Sequence, residues 1–159
     1  MRVGFGYDIH RLVPGRKLLL GGIEIPSPVG EEGFSDGDVL IHAVIDALLG
    51  PADLGDIGSS FPPGDPEFAG ISSVLLLQRT KAMIAGRGFS AVSVDCTVVL
   101  EAPKILPYVP GIKASLAACL CVDADRVSVK GKTKEGLDAV GAREAVEAYA
   151  VILLKEPGE

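Results

Sequence analysis

Aspartate and histidine stand two apart near the start of the chain, in Asp8-Ile9-His10. On an extended strand that spacing turns both side chains to one face, so a carboxylate and an imidazole lie side by side. Each is a good zinc ligand, at roughly 2.0–2.2 Å. The sequence holds 2 histidines. The other, His42, closes Gly37-Asp38-Val39-Leu40-Ile41-His42, and Asp38, His42 and Asp46 recur every four residues, the spacing of one helix face beside the apolar stripe. Two histidines and an aspartate would make three protein ligands with a position left open, the pattern of a catalytic metal site. Taken alone, an Asp-x-His is common, and a lone helical histidine is more often a hydrogen-bonded structural residue, so spacing by itself leaves the metal undecided.

Two other stretches carry chemistry-bearing side chains. In Asp53-Leu54-Gly55-Asp56-Ile57-Gly58, followed by Phe61-Pro62, the glycines allow close backbone approach and Asp56 can accept hydrogen bonds from hydroxyl groups. An ordinary turn explains that segment equally well. In Lys130-Gly131-Lys132-Thr133-Lys134-Glu135-Gly136 three lysines at period two would share a strand face. Lysine and threonine bind phosphate oxygens, and Glu135 could hold a magnesium ion already bound to phosphates. A solvated edge strand protected by lysines fits the same pattern.

These residues must be positioned by a small set of elements. Val3, Phe5 and Tyr7 alternate with Gly4, Gly6 and Asp8, which predicts a strand with one buried face. Lys17 to Ile25, interrupted by Gly21-Gly22, predicts a hairpin or bulged strand. Ser35 or Asp36 is the expected N-cap of a helix running through Val39, Leu40, Ala43, Val44, Ala47 and Leu48 to Gly50-Pro51. A long Gly-, Pro- and Asp-rich loop spans 52–70. Ser72 to Arg87 reads as a second helix capped by Ser72, and Leu106 to Leu120 as a third with an irregular, proline-rich start. Strands are expected over Phe89–Leu100, Arg126–Thr133 and Glu144–Leu154. The simplest assembly is an α+β, two-layer sandwich: a small mixed sheet with helices on one face.

The 159 residues suit one domain over 1–159. A net charge of −6 argues against a nucleic-acid binder, and an anionic substrate would then need local cations or a metal. No stretch approaches the ~20 apolar residues of a membrane span, and the start lacks a signal-peptide core, so a cytoplasmic protein is expected. Cys96, Cys119 and Cys121 lack zinc-ribbon spacing and have apolar neighbours, which reads as reduced, buried thiol.

Together the segments resemble the 2-C-methyl-D-erythritol 2,4-cyclodiphosphate synthase family. The resemblance is carried by Arg2-Val3-Gly4-Phe5-Gly6-Tyr7-Asp8-Ile9-His10, Ser35-Asp36-Gly37-Asp38 through His42, Asp46-Ala47-Leu48-Leu49-Gly50, Leu54-Gly55-Asp56-Ile57-Gly58, Phe61-Pro62 with Asp65-Pro66, Ala102-Pro103-Lys104 with Leu106-Pro107, and Thr133-x-Glu135. The ordered set runs from residue 2 to about residue 137. It implies that the 2-phosphate of 4-diphosphocytidyl-2-C-methyl-D-erythritol 2-phosphate attacks the β-phosphorus, releasing CMP and leaving a cyclic diphosphate. By position it implies zinc, or another divalent metal, at Asp8, His10 and His42, with Asp8 and His10 also against the substrate. It further implies magnesium or manganese at Glu135, Thr133 at the reacting phosphoryl group and Ser35 on phosphate. Asp56, Ile57 and Gly58 would hold the methylerythritol hydroxyls. Ala102, Pro103, Lys104, Ile105 and Leu106 would form the cytosine pocket, and Phe61, Pro62 and Asp65 a loop that closes over substrate. The family's sheets pack around a threefold axis, so a homotrimer with sites between subunits is implied.

The resemblance has two gaps. Phe34 stands where the family has a histidine beside Ser35, and phenylalanine donates no hydrogen bond. In Asp138-Ala139-Val140-Gly141-Ala142-Arg143-Glu144, Ala139 and Ala142 replace an aromatic and an arginine. A zinc phosphohydrolase that activates water at the open metal position, and a diverged trimer that keeps metal without turnover, are the competing readings.

Overall fold

A computed structural model describes residues 1–158. Seven strands and five α-helices follow one another: β1 (Arg2–Pro14), β2 (Leu18–Leu20), β3 (Ile23–Ile25), β4 (Val29–Glu31), α1 (Val39–Leu49), α2 (Ile57–Ser60), α3 (Ser73–Gly86), β5 (Ser90–Val99), α4 (Val109–Leu120), β6 (Val127–Lys132), α5 (Asp138–Gly141) and β7 (Ala145–Lys155). The five-stranded sheet has the order β4-β1-β7-β5-β6, with β2 and β3 as a separate hairpin. β1, β7 and β5 pair antiparallel, whereas β5 and β6 pair parallel through the crossover helix α4, so the sheet is mixed. The α+β class with helices on one face is therefore as expected.

The first strand buries the opposite face from the one its pattern suggested. Gly4 and Gly6 are buried, while Val3, Phe5, Tyr7 and Ile9 are 40–70% exposed. The reason lies in α1, which packs on this strand by its backbone: a Cβ on Gly4 would stand 1.8 Å from the Ala47 carbonyl oxygen, and one on Gly6 1.9 Å from that of Ala43. Apolar alternation reports which residues avoid water in the finished assembly. The cost of a side chain under α1 outweighs the apolar side chains here.

Helix α1 differs from expectation as well. All its residues except Asp46 are buried, so the polar face with Asp38 and His42 lies inside the molecule. Its N-cap is Asp38 rather than Ser35 or Asp36, with the carboxylate accepting from Ile41 N–H at 3.0 Å. Asp38 also takes the amides of Gly21 and Gly22 at 3.0 and 2.6 Å, and Glu31 takes those of Leu19 and Val39 at 2.9 and 3.1 Å. Two buried carboxylates thus tie the β2–β3 hairpin and β4 to the start of α1. Burial pushes both carboxyls up, that of Asp38 to about 6. Ser72 is the N-cap residue of α3 but makes no capping bond; Asp36 supplies the carboxylate instead, accepting from Ser73 N–H at 2.9 Å. Of the cysteines only Cys96 is buried; Cys119 is half-buried and Cys121 exposed, since the α4 C-terminus reaches the surface.

Candidate functional site

Three side chains from two elements converge at one point. β1 contributes Asp8 and His10, and α1, lying across β1, contributes His42. Asp8 Oδ2 is 2.9 Å from both His10 Nε2 and His42 Nδ1, and the two nitrogens are 3.0 Å apart. Tetrahedral zinc with bonds of ~2.0–2.1 Å has ligand–ligand edges of about 3.3 Å. The triangle is close to that size. The other nitrogen of each ring is held as well: His10 Nδ1 faces the Glu32 carbonyl at 2.6 Å, and His42 Nε2 faces the hydroxyls of Ser35 and Ser73 at 3.1 and 3.0 Å. A carbonyl only accepts, so His10 Nδ1 carries a proton, and in the neutral ring Nε2 is the nitrogen that offers a lone pair. Without a metal, imidazole protons shared with the Asp8 carboxylate hold the three groups together; with those protons released, three electron-pair donors face one point, which is what a metal ligand set requires. Burial would raise the Asp8 carboxyl, but hydrogen bonds and charge from His10 and His42 outweigh it and hold the group below the usual carboxylate range. Burial would lower His10, and Asp8 raises it instead.

A pocket of about 670 Å³ opens on the other edge of the sheet, lined by Pro103, Lys104, Ile105, Leu106, Thr133 and Glu135 among others. Gly131 makes room for its wall: a Cβ there would stand 2.8 Å from Ile105 Cγ1. The turn after β6 is held by Glu101, whose carboxylate accepts from Lys134 N–H at 2.6 Å, and Glu135 sits at φ +52°. Thr133 Oγ1 donates to Glu135 Oε1 at 2.6 Å, so hydroxyl and carboxylate point at each other within the pocket. Lys130 and Lys132, two apart on β6, share a strand face as expected, but Lys134 lies beyond the strand's end. Lys130 pairs with Asp95, Lys132 ends β6, and Lys134 turns away to Asp138 and Glu147 at 3.1 and 3.2 Å.

Comparison with known proteins gives this geometry its context. The YgbB family signature matches residues 1–155. The 2-C-methyl-D-erythritol 2,4-cyclodiphosphate synthase of Symbiobacterium thermophilum is 54% identical over 154 residues, 97% of this chain and 98% of that protein. The chain belongs to this synthase family. A solved 2C-methyl-D-erythritol-2,4-cyclodiphosphate synthase with CDP bound superposes with a TM-score of 0.89 at 40% identity, over 97% of this chain and all of that one. The bifunctional IspDF of Campylobacter jejuni gives a TM-score of 0.93 at 34% identity; the match covers 97% of this chain and 42% of that one.

The fold sorts the residues expected from the synthase resemblance into two groups. With the triad lie Ser35, buried against His42, and the 56–58 segment, because Asp46, one helical turn beyond His42, accepts from Ile57 N–H at 2.8 Å. Asp56 caps α2 through Ser59 N–H at 2.7 Å, and its carboxylate is exposed. Phe61 is buried edge-on to Phe68, whereas Pro62 and Asp65 are exposed. In the second group Ala102, Pro103, Lys104, Ile105 and Leu106 lie with Thr133 and Glu135. Asp8, Ala148, Val98 and Gly131 form one row across the sheet. Three interstrand steps, roughly 14 Å, therefore separate the groups. Phe34 is 43% exposed beside Ser35 and presents no donor there. Sequence reading took Asp36 for a possible cap of α1 rather than a partner of Ser73, and did not single out Ser73 or Glu101. Asp36 and Glu101 in loops and Ser73 at a helix start carry no periodic signal, and nothing in their spacing announces what they touch.

Proposed function

We propose that this chain, as one domain, converts 4-diphosphocytidyl-2-C-methyl-D-erythritol 2-phosphate to 2-C-methyl-D-erythritol 2,4-cyclodiphosphate and CMP. An oxygen of the 2-phosphate forms the new bond to the β-phosphorus, and the bond from that phosphorus to the CMP oxygen breaks. The nucleophile is already anionic, so the protein's task is alignment and charge neutralisation rather than proton removal. Zinc at Asp8, His10 and His42, and magnesium or manganese at Glu135, supply positive charge to the phosphate oxygens when bound. Ser35 donates its hydroxyl to phosphate, and Thr133 donates to the phosphoryl group as charge builds. Asp56, with the Ile57 and Gly58 backbone, orients the methylerythritol hydroxyls. Ala102 to Leu106, with Lys104, receives the cytosine, and the Phe61-Pro62 to Asp65 loop covers the substrate.

The observation that carries this reading is the separation of the two groups. A metal triad and a nucleotide-sized pocket on opposite sheet edges cannot share a diphosphate within one chain, but can across a junction between copies. The sheet face away from the helices supports that junction: Val3, Phe5, Tyr7, Ile9 and Val151 are exposed there, an apolar surface expected to meet a partner. A homotrimer with the triad of one subunit facing the pocket of its neighbour satisfies both. Among the described residues no helix is long and apolar enough to cross a membrane, in keeping with a cytoplasmic enzyme.

Phosphorus NMR of the protein with substrate, zinc and magnesium tests the reading. Cyclic diphosphate and equimolar CMP should appear, and should vanish with metal-stripped protein and with His42→Ala. Release of inorganic phosphate, or no turnover by zinc-loaded protein, refutes it.

A further inference from the structure

His42 Nε2 has two hydroxyl neighbours at nearly equal distance, Ser35 Oγ at 3.1 Å and Ser73 Oγ at 3.0 Å, but one N–H to give. The wider hydrogen-bond pattern separates them. Ser73 is the first residue of α3 and fully buried, and it meets Asp36 twice. Its N–H donates to Asp36 Oδ2 at 2.9 Å, and its Oγ is in short contact with Asp36 Oδ1. A carboxylate only accepts, so the Ser73 hydroxyl proton is committed to Asp36 and the oxygen lone pairs are left toward His42. Ser35 is placed differently: its Oγ accepts from Gly37 N–H at 3.3 Å and is a second, competing acceptor for the His42 Nε2–H, while its own proton meets no hydrogen-bond acceptor among the described residues.

We infer that Asp36 and Ser73 are positioning residues for the metal ligand His42, and that Ser35 is thereby left free to serve the substrate. The chain of contacts runs from Asp36 carboxylate to Ser73 hydroxyl to His42 Nε2–H. It fixes the tautomer in which Nδ1 holds a lone pair toward Asp8 and His10. Carboxylates that orient metal-bound histidines usually bond them directly; here a serine stands between. The arrangement also couples the site to the fold. Asp36 caps α3 in place of the silent Ser72, so the helix start and the ligand orientation depend on one carboxylate. His10 receives its orientation from the Glu32 carbonyl, a backbone group that substitution cannot remove, which leaves the His42 arm as the one a side-chain change can loosen.

The inference rests on the metal reading of the triad, and the test separates the two. Zinc affinity is measured by competition with a chromophoric chelator, and the melting temperature with and without zinc, for wild type, Ser73→Ala, Ser73→Thr and Ser35→Ala. Ser73→Ala keeps the Asp36 bond to the residue 73 amide, so it folds where Asp36→Asn could fail. Its zinc Kd should rise about 10–100-fold, the usual effect of losing an outer partner of a metal ligand. The zinc-induced rise in melting temperature should shrink with it, whereas a merely structural role would lower both melting temperatures together. Ser73→Thr restores the hydroxyl and should bind zinc as wild type does. Ser35→Ala should keep wild-type zinc affinity and lose turnover. Equal zinc affinity in Ser73→Ala and wild type overturns the inference, as does a Ser35→Ala protein that loses zinc as strongly as Ser73→Ala. Failure of the wild type itself to bind zinc refutes the metal reading and, with it, this one.

Discussion

Gly6→Ala should damage the fold and the metal site together. The added Cβ would lie 1.9 Å from the Ala43 carbonyl oxygen and 2.8 Å from the Ala47 nitrogen, all of it α1 backbone. A carbon–oxygen contact relaxes only at about 3.3 Å, so α1 must withdraw from β1 by roughly 1.4 Å. Gly6 lies two residues before Asp8 on β1, and His42 rides on α1. The two triangle edges that reach His42, 2.9 and 3.0 Å, then open to about 4.3 Å, past the ~3.3 Å that tetrahedral zinc spans, while the Asp8–His10 edge within β1 is kept. Because the clash is with backbone, the loss should sit at the top of the overpacking range, about 3 kcal/mol. At ~2–4 °C per kcal/mol for a chain of this size, the metal-free melting temperature should fall by roughly 6–12 °C. Thermal melts and a zinc titration read the two effects. Gly86→Ala is the control: nothing lies within 4 Å of its Cβ and its φ is not positive, so it should be neutral or up to ~1 kcal/mol stabilising. A Gly6→Ala protein that melts within about 2 °C of wild type and binds zinc as tightly would refute the claim that β1 and α1 pack backbone to backbone.

Asp38→Ala strands the buried amides of Gly21 and Ile41 and frees the exposed one of Gly22 to water, and at ~1–3 kcal/mol for each buried donor left unmet the urea unfolding free energy should drop by at least about 2 kcal/mol. Gly131→Val drives a side chain into Ile105 and narrows the pocket proposed to take the nucleotide, so CDP affinity by calorimetry should fall about tenfold, or ~1.4 kcal/mol, with zinc content unchanged. Phe5→Asp places a charge in the exposed apolar face; light scattering should show monomers that retain zinc but have lost turnover, and an active monomer would disprove the between-subunit site. Burial pushes the Cys96 thiol up to about 12, so at pH 8 it stays protonated and unreactive. Maleimide should therefore label Cys121 in the folded protein and reach Cys96 only in denaturant, as mass spectrometry of the peptides will show.

Much of the architecture could be read along the chain. Residues that bury one side of a helix or strand repeat at a local period, so α1, α3, α4, β5 and β7 were legible from apolar spacing and from their Gly and Pro boundaries. Asp8 and His10 were legible for the same reason: a two-residue spacing on a strand is itself a geometric statement. Their union with His42 could be offered from residue types but was made specific only by resemblance, because 32 residues separate His10 from His42 and no local rule spans that gap.

Tertiary structure decided the rest. The buried face of β1 was chosen by how closely α1 approaches, a relation between two backbones that hydropathy does not encode. The cap of α3 came from Asp36, a residue 37 positions before Ser73, because a carboxylate satisfies whichever amide the fold brings to it. The division of the candidate site into two groups across the sheet follows from strand order, which puts β1 and β6 three strands apart although each carries an equally plain polar motif. Local periodicity records what a residue must avoid; which partners it meets depends on contacts made across the chain, and those exist only after folding.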